Sequence, residues 1–163
     1  MQTYRLVHLI QYHSDNLAAS LLGQVQMSER AGSYRNVSPE ELKERVFEIY
    51  HHLGAWLLDK SETDIEGRYM AIGARRAEQG VPLSELVWVI VLTKHTLSKF
   101  VEDVSVPGRA ADTSEKQELL QRVEHFFDLA IHAAVVGYEC ASPKRVPFAK
   151  PITRIGNKAR KAS

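Results

Sequence analysis

The histidine and glutamate side chains of this sequence are the first candidates for metal chemistry, because helical bundles often bury metal ions. A di-iron carboxylate site needs a Glu-x-x-His pair on each of two helices and a further Glu from each of two others. Glu48 and His51 form one such pair, and the sequence contains no second one. We therefore expect Glu48, His51 and His52 to have surface or interface roles, and we predict no bound metal.

A haem group requires an axial histidine in an apolar pocket. Among the seven histidines, only His95 and His132 are flanked by enough apolar residues to be candidates. Each could equally be a hydrogen-bonded core histidine or an exposed one. A haem- or metal-binding helical sensor is therefore an alternative function, whereas the main prediction includes no cofactor.

Motifs for covalent or phosphate chemistry are missing from the sequence. It contains no Gly-x-Ser-x-Gly elbow and no Gly-x-Gly or Gly-Lys-Ser/Thr cluster. The single cysteine, Cys140, excludes an internal disulfide and a zinc site with several thiolate ligands, and it fits a reducing compartment. We expect a cytoplasmic protein that is not an enzyme.

A small-molecule pocket is the remaining chemical option. Aromatic and polar residues on the central helices could line such a pocket, and these are Tyr69, Arg76, Trp88, His95 and Tyr138. Aromatic residues at helical spacing more often fill a core or an interface. The ligand pocket is therefore a hypothesis that needs geometry to support it.

Basic residues are concentrated at the end of the chain. Residues 142–163 hold seven Lys and Arg, no acidic residue and three of the six prolines. We predict a mildly acidic domain over residues 1–141 and a mobile basic tail over residues 142–163. Binding of this tail to nucleic-acid phosphates is a second alternative function, although its one aromatic residue, Phe148, gives little scope for base stacking.

The elements that carry these residues are predicted to be helices. Hydrophobic spacing and capping signals indicate five long segments, at about residues 4–29, 38–58, 61–80, 82–103 and 112–141. Ser14 or Asp15 is a candidate cap for a new start within the first segment, and residues 30–37 are predicted to form a loop. With 163 residues and 44% hydrophobic composition, the chain can bury one core. The prediction is an all-α, single-domain bundle of about five long helices, with a globin-like arrangement as one option.

Two local motifs fix helix ends. Ser38, Pro39 and Glu41 form a capping-box pattern in which proline occupies the first helical position. Gln79, Gly80 and Pro82 form a corner in which glycine can adopt the left-handed conformation and proline begins the next helix. No apolar run approaches the roughly 20 residues that cross a bilayer, and the first residues lack the features of a signal peptide.

Three strings resemble the RsbRD N-terminal domain in order and spacing. These are SYRNVSPEEL at residues 33–42, IGARRAEQGVPLSEL at residues 72–86, and FFDLAI at residues 126–131 followed by GYE at residues 137–139. The resemblance covers about residues 6–141. That family heads co-antagonists of the stress-signalling kinase RsbT and also precedes histidine-kinase, cyclic-nucleotide and DNA-binding output modules. It transfers no catalytic residue.

The resemblance implies a noncatalytic sensory or regulatory input domain in bacterial stress or two-component-like signalling. Such a domain binds a partner protein, and a small-molecule ligand is a further expected input. A homodimer is expected because the long first and last helices offer extended faces. Nucleic acid is not the expected partner, and no membrane-spanning segment is predicted.

Overall fold

The computed structural model describes residues 2–59, 62–104 and 110–142. These residues form six α-helices and one 3-10 helix, and they contain no strand. The α-helices are α1 (Gln2–Tyr12), α2 (Ser14–Met27), α3 (Pro39–Asp59), α4 (Glu62–Glu78), α5 (Leu83–Asp103) and α6 (Ala110–Ala141). The 3-10 helix spans Glu29–Asn36 and lies between α2 and α3. The all-α prediction is confirmed. The predicted basic tail lies outside the described residues except for Ser142.

The expected count of five helices is too low because the first predicted segment contains two helices. The chain breaks at His13, which precedes α2 and makes no side-chain capping bond. Ser14 is buried and its hydroxyl donates to the carbonyl oxygen of Gln11 at 2.8 Å. Ser14 therefore satisfies the end of α1 instead of capping α2. The segment predicted as a loop, residues 30–37, is largely the 3-10 helix.

The start of α3 follows the capping-box prediction only in part. Pro39 is the first residue of α3, and the Ser38 hydroxyl accepts a hydrogen bond from the backbone N–H of Glu41 at 3.4 Å. The Glu41 carboxylate instead binds guanidinium groups on α4. A charged donor outcompetes a neutral backbone N–H for a carboxylate, so half of the predicted box forms.

The corner between α4 and α5 forms as the sequence predicts. Gly80 has a φ of +71°, which is the left-handed conformation that closes a helix. The N–H of Val81 donates to the carbonyl oxygen of Arg76 at 3.0 Å. Pro82 lies immediately before α5, with a φ of −59°. The hydroxyl of Tyr138 on α6 donates to the Val81 carbonyl oxygen at 2.8 Å and so fixes the corner against α6.

Helices α4 and α6 pack at backbone contact. A methyl group added at Gly73 would overlap the carbonyl oxygen of Ala134, and one added at Gly137 would overlap the carbonyl oxygen of Met70. Only glycine allows so close an approach. These two helices therefore form a tightly joined pair.

Helix α3 packs on other helices than α4 does. It packs against α1 and α2, whereas α4 packs mainly on α6, and α5 contacts α2, α6 and the 3-10 helix. One continuous hydrophobic core receives side chains from all of these helices. Between the described parts of α3 and α4 the fold leaves a groove, which brings polar side chains of both helices together.

Candidate functional site

The groove between α3 and α4 is the candidate site. Its two walls run antiparallel, because the start of α3 faces the end of α4. It encloses about 420 Å³, a volume within the range of small-molecule sites. Its floor is partly apolar, from Ile49, Trp56, Tyr69 and Ile72, and its charged lining consists of Glu41, Arg45, Glu48, Arg68, Arg75 and Arg76.

One end of the groove is closed by the Glu41 cluster, which consists of Glu41, Arg75, Arg76 and Gln79. Arg75 donates to both carboxylate oxygens of Glu41, from Nε to Oε1 at 2.9 Å and from Nη2 to Oε2 at 3.1 Å. Arg76 Nη1 donates to Oε1 at 2.9 Å, and Gln79 Nε2 donates to Oε2 at 3.2 Å. The hydrogen bonds from Arg75 are the main reason why the pKa of Glu41 falls to about 2.

The Glu41 cluster also stabilises the buried guanidinium charge of Arg76. The Arg76 side chain is only 4% exposed, so its charge needs nearby partners. Besides Glu41, it donates to the Gln79 side-chain oxygen, and its guanidinium carbon lies 5.6 Å from the centre of the Tyr34 ring. Burial raises the pKa of Tyr34 to about 12, partly offset by Arg76. The polar link between α3 and α4 is therefore anchored in the core.

The other end of the groove is formed by Arg45, Glu48, Trp56 and Arg68. The Arg68 guanidinium carbon lies 5.0 Å from the centre of the Trp56 ring. Glu48 Oε2 lies 3.4 Å from Arg45 Nη1 and 4.0 Å from Arg68 Nη1. These charged groups are about half exposed, so their mutual attraction is screened and weak. The Trp56 ring stacks on Phe126 of α6 at 5.6 Å between centroids.

Tyr69 lies in the middle of the groove floor and has a buried hydroxyl without a described hydrogen-bond partner. The residue is 1% exposed, and its hydroxyl has no hydrogen-bond partner among the described residues. Burial raises its pKa above that of a free phenol, so the hydroxyl stays protonated and remains a potential donor. Tyr50, the neighbouring buried tyrosine, donates to the Thr93 carbonyl oxygen at 3.0 Å. Tyr69 therefore differs from Tyr50, because none of the described residues accepts a hydrogen bond from its hydroxyl.

The five residues predicted to line a ligand pocket do not meet at one place. Tyr69 and Arg76 line the groove. The Trp88 indole N–H donates to the Ser28 hydroxyl at 3.1 Å, and the Arg30 guanidinium stacks on its ring. His95 is exposed on α5, and Tyr138 binds the corner carbonyl. Trp88 and Tyr138 therefore hold helices together, away from the groove.

Two of the residues predicted to be structural also contribute to the groove. Glu41 and Gln79 form part of its closed end, while Ser38 and Pro39 start the helix that carries Glu41. Sequence reasoning missed Arg45, Trp56 and Arg68. Their spacing predicts only that they share one face of α3 or of α4. Which face of α3 meets which face of α4 depends on the antiparallel arrangement of the two helices.

The candidate cofactor ligands can be compared where the structure describes their side chains. Among the described residues, no three His, Cys, Asp or Glu side chains lie close enough together to hold a metal ion. His95 and His132 are both exposed, so neither offers the apolar axial position that haem requires. The side chains of His51 and His52 lie outside the described part of the structure. None of the described helices is long and apolar enough to cross a membrane.

Comparison with known proteins identifies one family. The model of the family described as RsbT co-antagonist protein rsbRD N-terminal domain matches residues 15–143. The match covers most of the chain and includes the groove, the Glu41 cluster and the α4–α5 corner, and it begins after α1 ends. No match was found among curated proteins or among solved structures.

Proposed function

Because the chain belongs to the family of RsbT co-antagonist protein rsbRD N-terminal domains, we propose that it is a noncatalytic input domain that binds a partner protein in bacterial stress signalling. The family match is the observation that carries this proposal. The partner we propose is the RsbT kinase or the co-antagonist output module that acts on it. The proposed location is the cytoplasm, where both would be found.

The architecture supports a signalling role because its joints differ in strength. The α4–α6 pair is joined by backbone contact at Gly73 and Gly137. The α3–α4 joint consists of ion pairs and a groove. The half-exposed contacts of Glu48 with Arg45 and Arg68 can be exchanged for others at a small net cost, whereas close-packed backbones resist displacement. A partner or ligand would therefore act on α3 relative to α4.

The proposed mechanism is a population shift between two positions of α3. In both positions Glu41 stays paired with the buried Arg76, and the two positions differ in whether Glu48 contacts Arg45 and Arg68. A bound molecule shifts this equilibrium by the difference in its affinity for the two states. The partner then responds to the surface that the more populated state presents.

Sedimentation velocity tests the partner proposal. The full chain is mixed with purified RsbT kinase and, separately, with a co-antagonist output module. We expect a faster-sedimenting complex with one of them and a weakened complex with Glu41→Ala, compared with the control Glu44→Ala on the exposed side of α3. Unchanged sedimentation with both proteins would contradict the proposal.

A homodimer is the assembly that we propose. Tyr4 and Tyr12 on α1 are 56% and 82% exposed, which is unusual for large aromatic side chains. His8 lies between them on the same helical face, with its ring 5.1 Å from that of Tyr4. An exposed aromatic stripe of this kind is typical of an interface. We also propose that a small molecule is a second input, bound in the groove.

A further inference from the structure

We propose that the groove between α3 and α4 binds a small organic carboxylic acid, with its carboxylate among the guanidinium groups and its apolar body against Trp56 and Ile49. This inference gives the chemical class of the ligand that the proposed function includes as a second input, and it rests on that part of the proposal. It does not depend on partner binding.

The charge of the groove selects an anion. Its described lining contains four arginines and two glutamates. Each carboxylate is shared, Glu41 between Arg75 and Arg76, and Glu48 between Arg45 and Arg68. Each end therefore has one more positive than negative charge. A carboxylate would complete this balance, because guanidinium groups bind carboxylates through paired hydrogen bonds.

The Trp56 end is the better position for the incoming carboxylate. At the closed end, Glu41 already accepts from three side chains at 2.9 to 3.2 Å. At the Trp56 end, the Glu48 contacts are longer, at 3.4 and 4.0 Å, and Arg45 and Arg68 are about half exposed. Arg45 and Arg68 can therefore turn towards a ligand without leaving a buried charge unpaired.

The shape and apolar floor of the groove select the body of the ligand. A volume of about 420 Å³ accommodates a molecule with one ring or a short branched chain. Trp56 and Ile49 present apolar surface next to the arginines. An inorganic anion would satisfy the charge alone, whereas an organic acid would also cover this surface.

Tyr69 adds its aromatic ring to the groove floor, while its hydroxyl is buried. Buried polar groups in proteins nearly always have a hydrogen-bond partner. Tyr69 lines the groove, is 1% exposed, and has no partner for its hydroxyl among the described residues. The Tyr69 hydroxyl lies close enough to Tyr50 to raise the pKa of that phenol, so it belongs to the core beneath the groove, and the ring of Tyr69 is the part that contributes to the groove floor.

Isothermal titration calorimetry with 4-phenylbutyrate tests the proposal directly. The neutral analogue 4-phenylbutanol, the cationic analogue 4-phenylbutylamine and inorganic phosphate serve as matched probes. We expect saturable binding of 4-phenylbutyrate and at least about tenfold weaker binding of the other three, because charge-assisted hydrogen bonds to arginine would be lost or the apolar contact would be missing. Equal binding of the alcohol, or no saturable binding of the acid, would overturn the proposal.

Substitutions locate the site on the full-length chain. We expect Arg68→Gln and Arg45→Gln each to weaken 4-phenylbutyrate binding about tenfold. Lys43→Gln removes a positive charge from an exposed position on α3 outside the groove lining and should leave binding unchanged. Equal losses in Lys43→Gln and Arg68→Gln would show a general charge effect and overturn the assignment.

A fluorescence measurement distinguishes binding next to Trp56 from binding elsewhere on the chain. The chain has two tryptophans, so Trp88→Phe leaves Trp56 as the only one. We expect 4-phenylbutyrate to change Trp56 emission with the same midpoint as in calorimetry. Heat without any change at Trp56 would place the acid elsewhere. All of these measurements use the chain alone, so they can fail while RsbT binding succeeds, and the reverse.

Discussion

Glu41 joins two helices through a single carboxylate. It accepts hydrogen bonds from Arg75, Arg76 and Gln79, and one of these partners is almost fully buried. Removing a carboxylate that pairs with a buried cation is costly, because the cation then has no counter-charge. At the scale of single residues, Glu41 is therefore the polar group on which the α3–α4 joint depends most.

The first prediction concerns the pH dependence of this joint. The pKa of Glu41 is about 2 in the folded chain and about 4.5 without the partners. Its stabilisation is therefore complete above pH 4.5 and is lost as the pH falls from 4.5 to 2. We expect Glu41→Gln to lower the free energy of unfolding by about 2 kcal/mol at pH 7, a value reduced for solvent exposure at Arg75.

Urea unfolding of wild type and Glu41→Gln between pH 2 and pH 7 measures this difference. The two curves should converge as the pH falls to about 2, because Glu41 is increasingly protonated there and loses the charge that Gln lacks at every pH. Glu44→Gln, at an exposed position on α3, is the control and should change stability by less than about 0.5 kcal/mol. A constant difference at every pH would show that the Glu41 charge is not responsible.

The second prediction compares two buried tyrosines. The Tyr50 hydroxyl donates to the Thr93 carbonyl oxygen, whereas the Tyr69 hydroxyl has no partner in the described residues. We expect Tyr69→Phe to stabilise the ligand-free chain by about 1 kcal/mol and Tyr50→Phe to destabilise it by about 1 kcal/mol. Urea unfolding of both variants measures whether each substitution raises or lowers the free energy of unfolding. Destabilisation by Tyr69→Phe would mean that its hydroxyl is already satisfied.

At the scale of elements, the glycines of α4 have different roles. Gly73 faces the backbone of α6, whereas a methyl group at Gly67 would meet no atom within 4 Å. Glycine weakens a helix unless close packing requires it. The contact between α4 and α6 therefore depends on Gly73 and tolerates change at Gly67.

The third prediction follows from this difference. Gly73→Ala should destabilise the chain by more than about 2 kcal/mol, because the methyl group forces α4 away from the Ala134 carbonyl. Gly67→Ala should stabilise it by up to about 1 kcal/mol, because alanine favours the helix. Thermal unfolding followed by circular dichroism measures both. Effects of the same sign in the two variants would contradict the backbone contact.

At the scale of the whole molecule, α1 presents the exposed face that we propose for the dimer. It lies before the residues that match the family, and its exposed aromatic side chains are separated by one and two helical turns. Helices α3 and α4 carry the groove and its walls. Dimerisation and ligand binding would therefore use different helices. A substitution on α1 can thus weaken the dimer without changing ligand binding, and the reverse.

The fourth prediction tests the dimer. We expect the double variant Tyr4→Ser, Tyr12→Ser to raise the dimer dissociation constant at least about tenfold, because aromatic residues supply much of the energy of an interface. Light scattering after size-exclusion chromatography over a range of concentrations measures it. Met70→Gln, an exposed position on α4, is the control. A wild-type chain that stays monomeric at high concentration would contradict the dimer.

The sequence by itself determined the all-α class, the long helices and the corner between α4 and α5. Apolar spacing identified the long segments, and the corner at Gly80 and Pro82 could be predicted because backbone preferences at glycine and proline act locally. The strings around this corner also identified the family, which the comparison confirms. The break at His13 was only a candidate, because neither Ser14 nor Asp15 provides the cap that would have marked it.

Only the tertiary structure decided which side chains meet. Glu41 fits a capping box by sequence, but α4 brings it two guanidinium groups that bind it more strongly than a backbone N–H does. Tyr69 and Arg76 line the groove, while Trp88, His95 and Tyr138 lie elsewhere. Helix ends depend on a few neighbouring residues, whereas a groove depends on how two distant faces pair. That pairing is fixed by the packing of α4 on α6 and of α3 on α1 and α2.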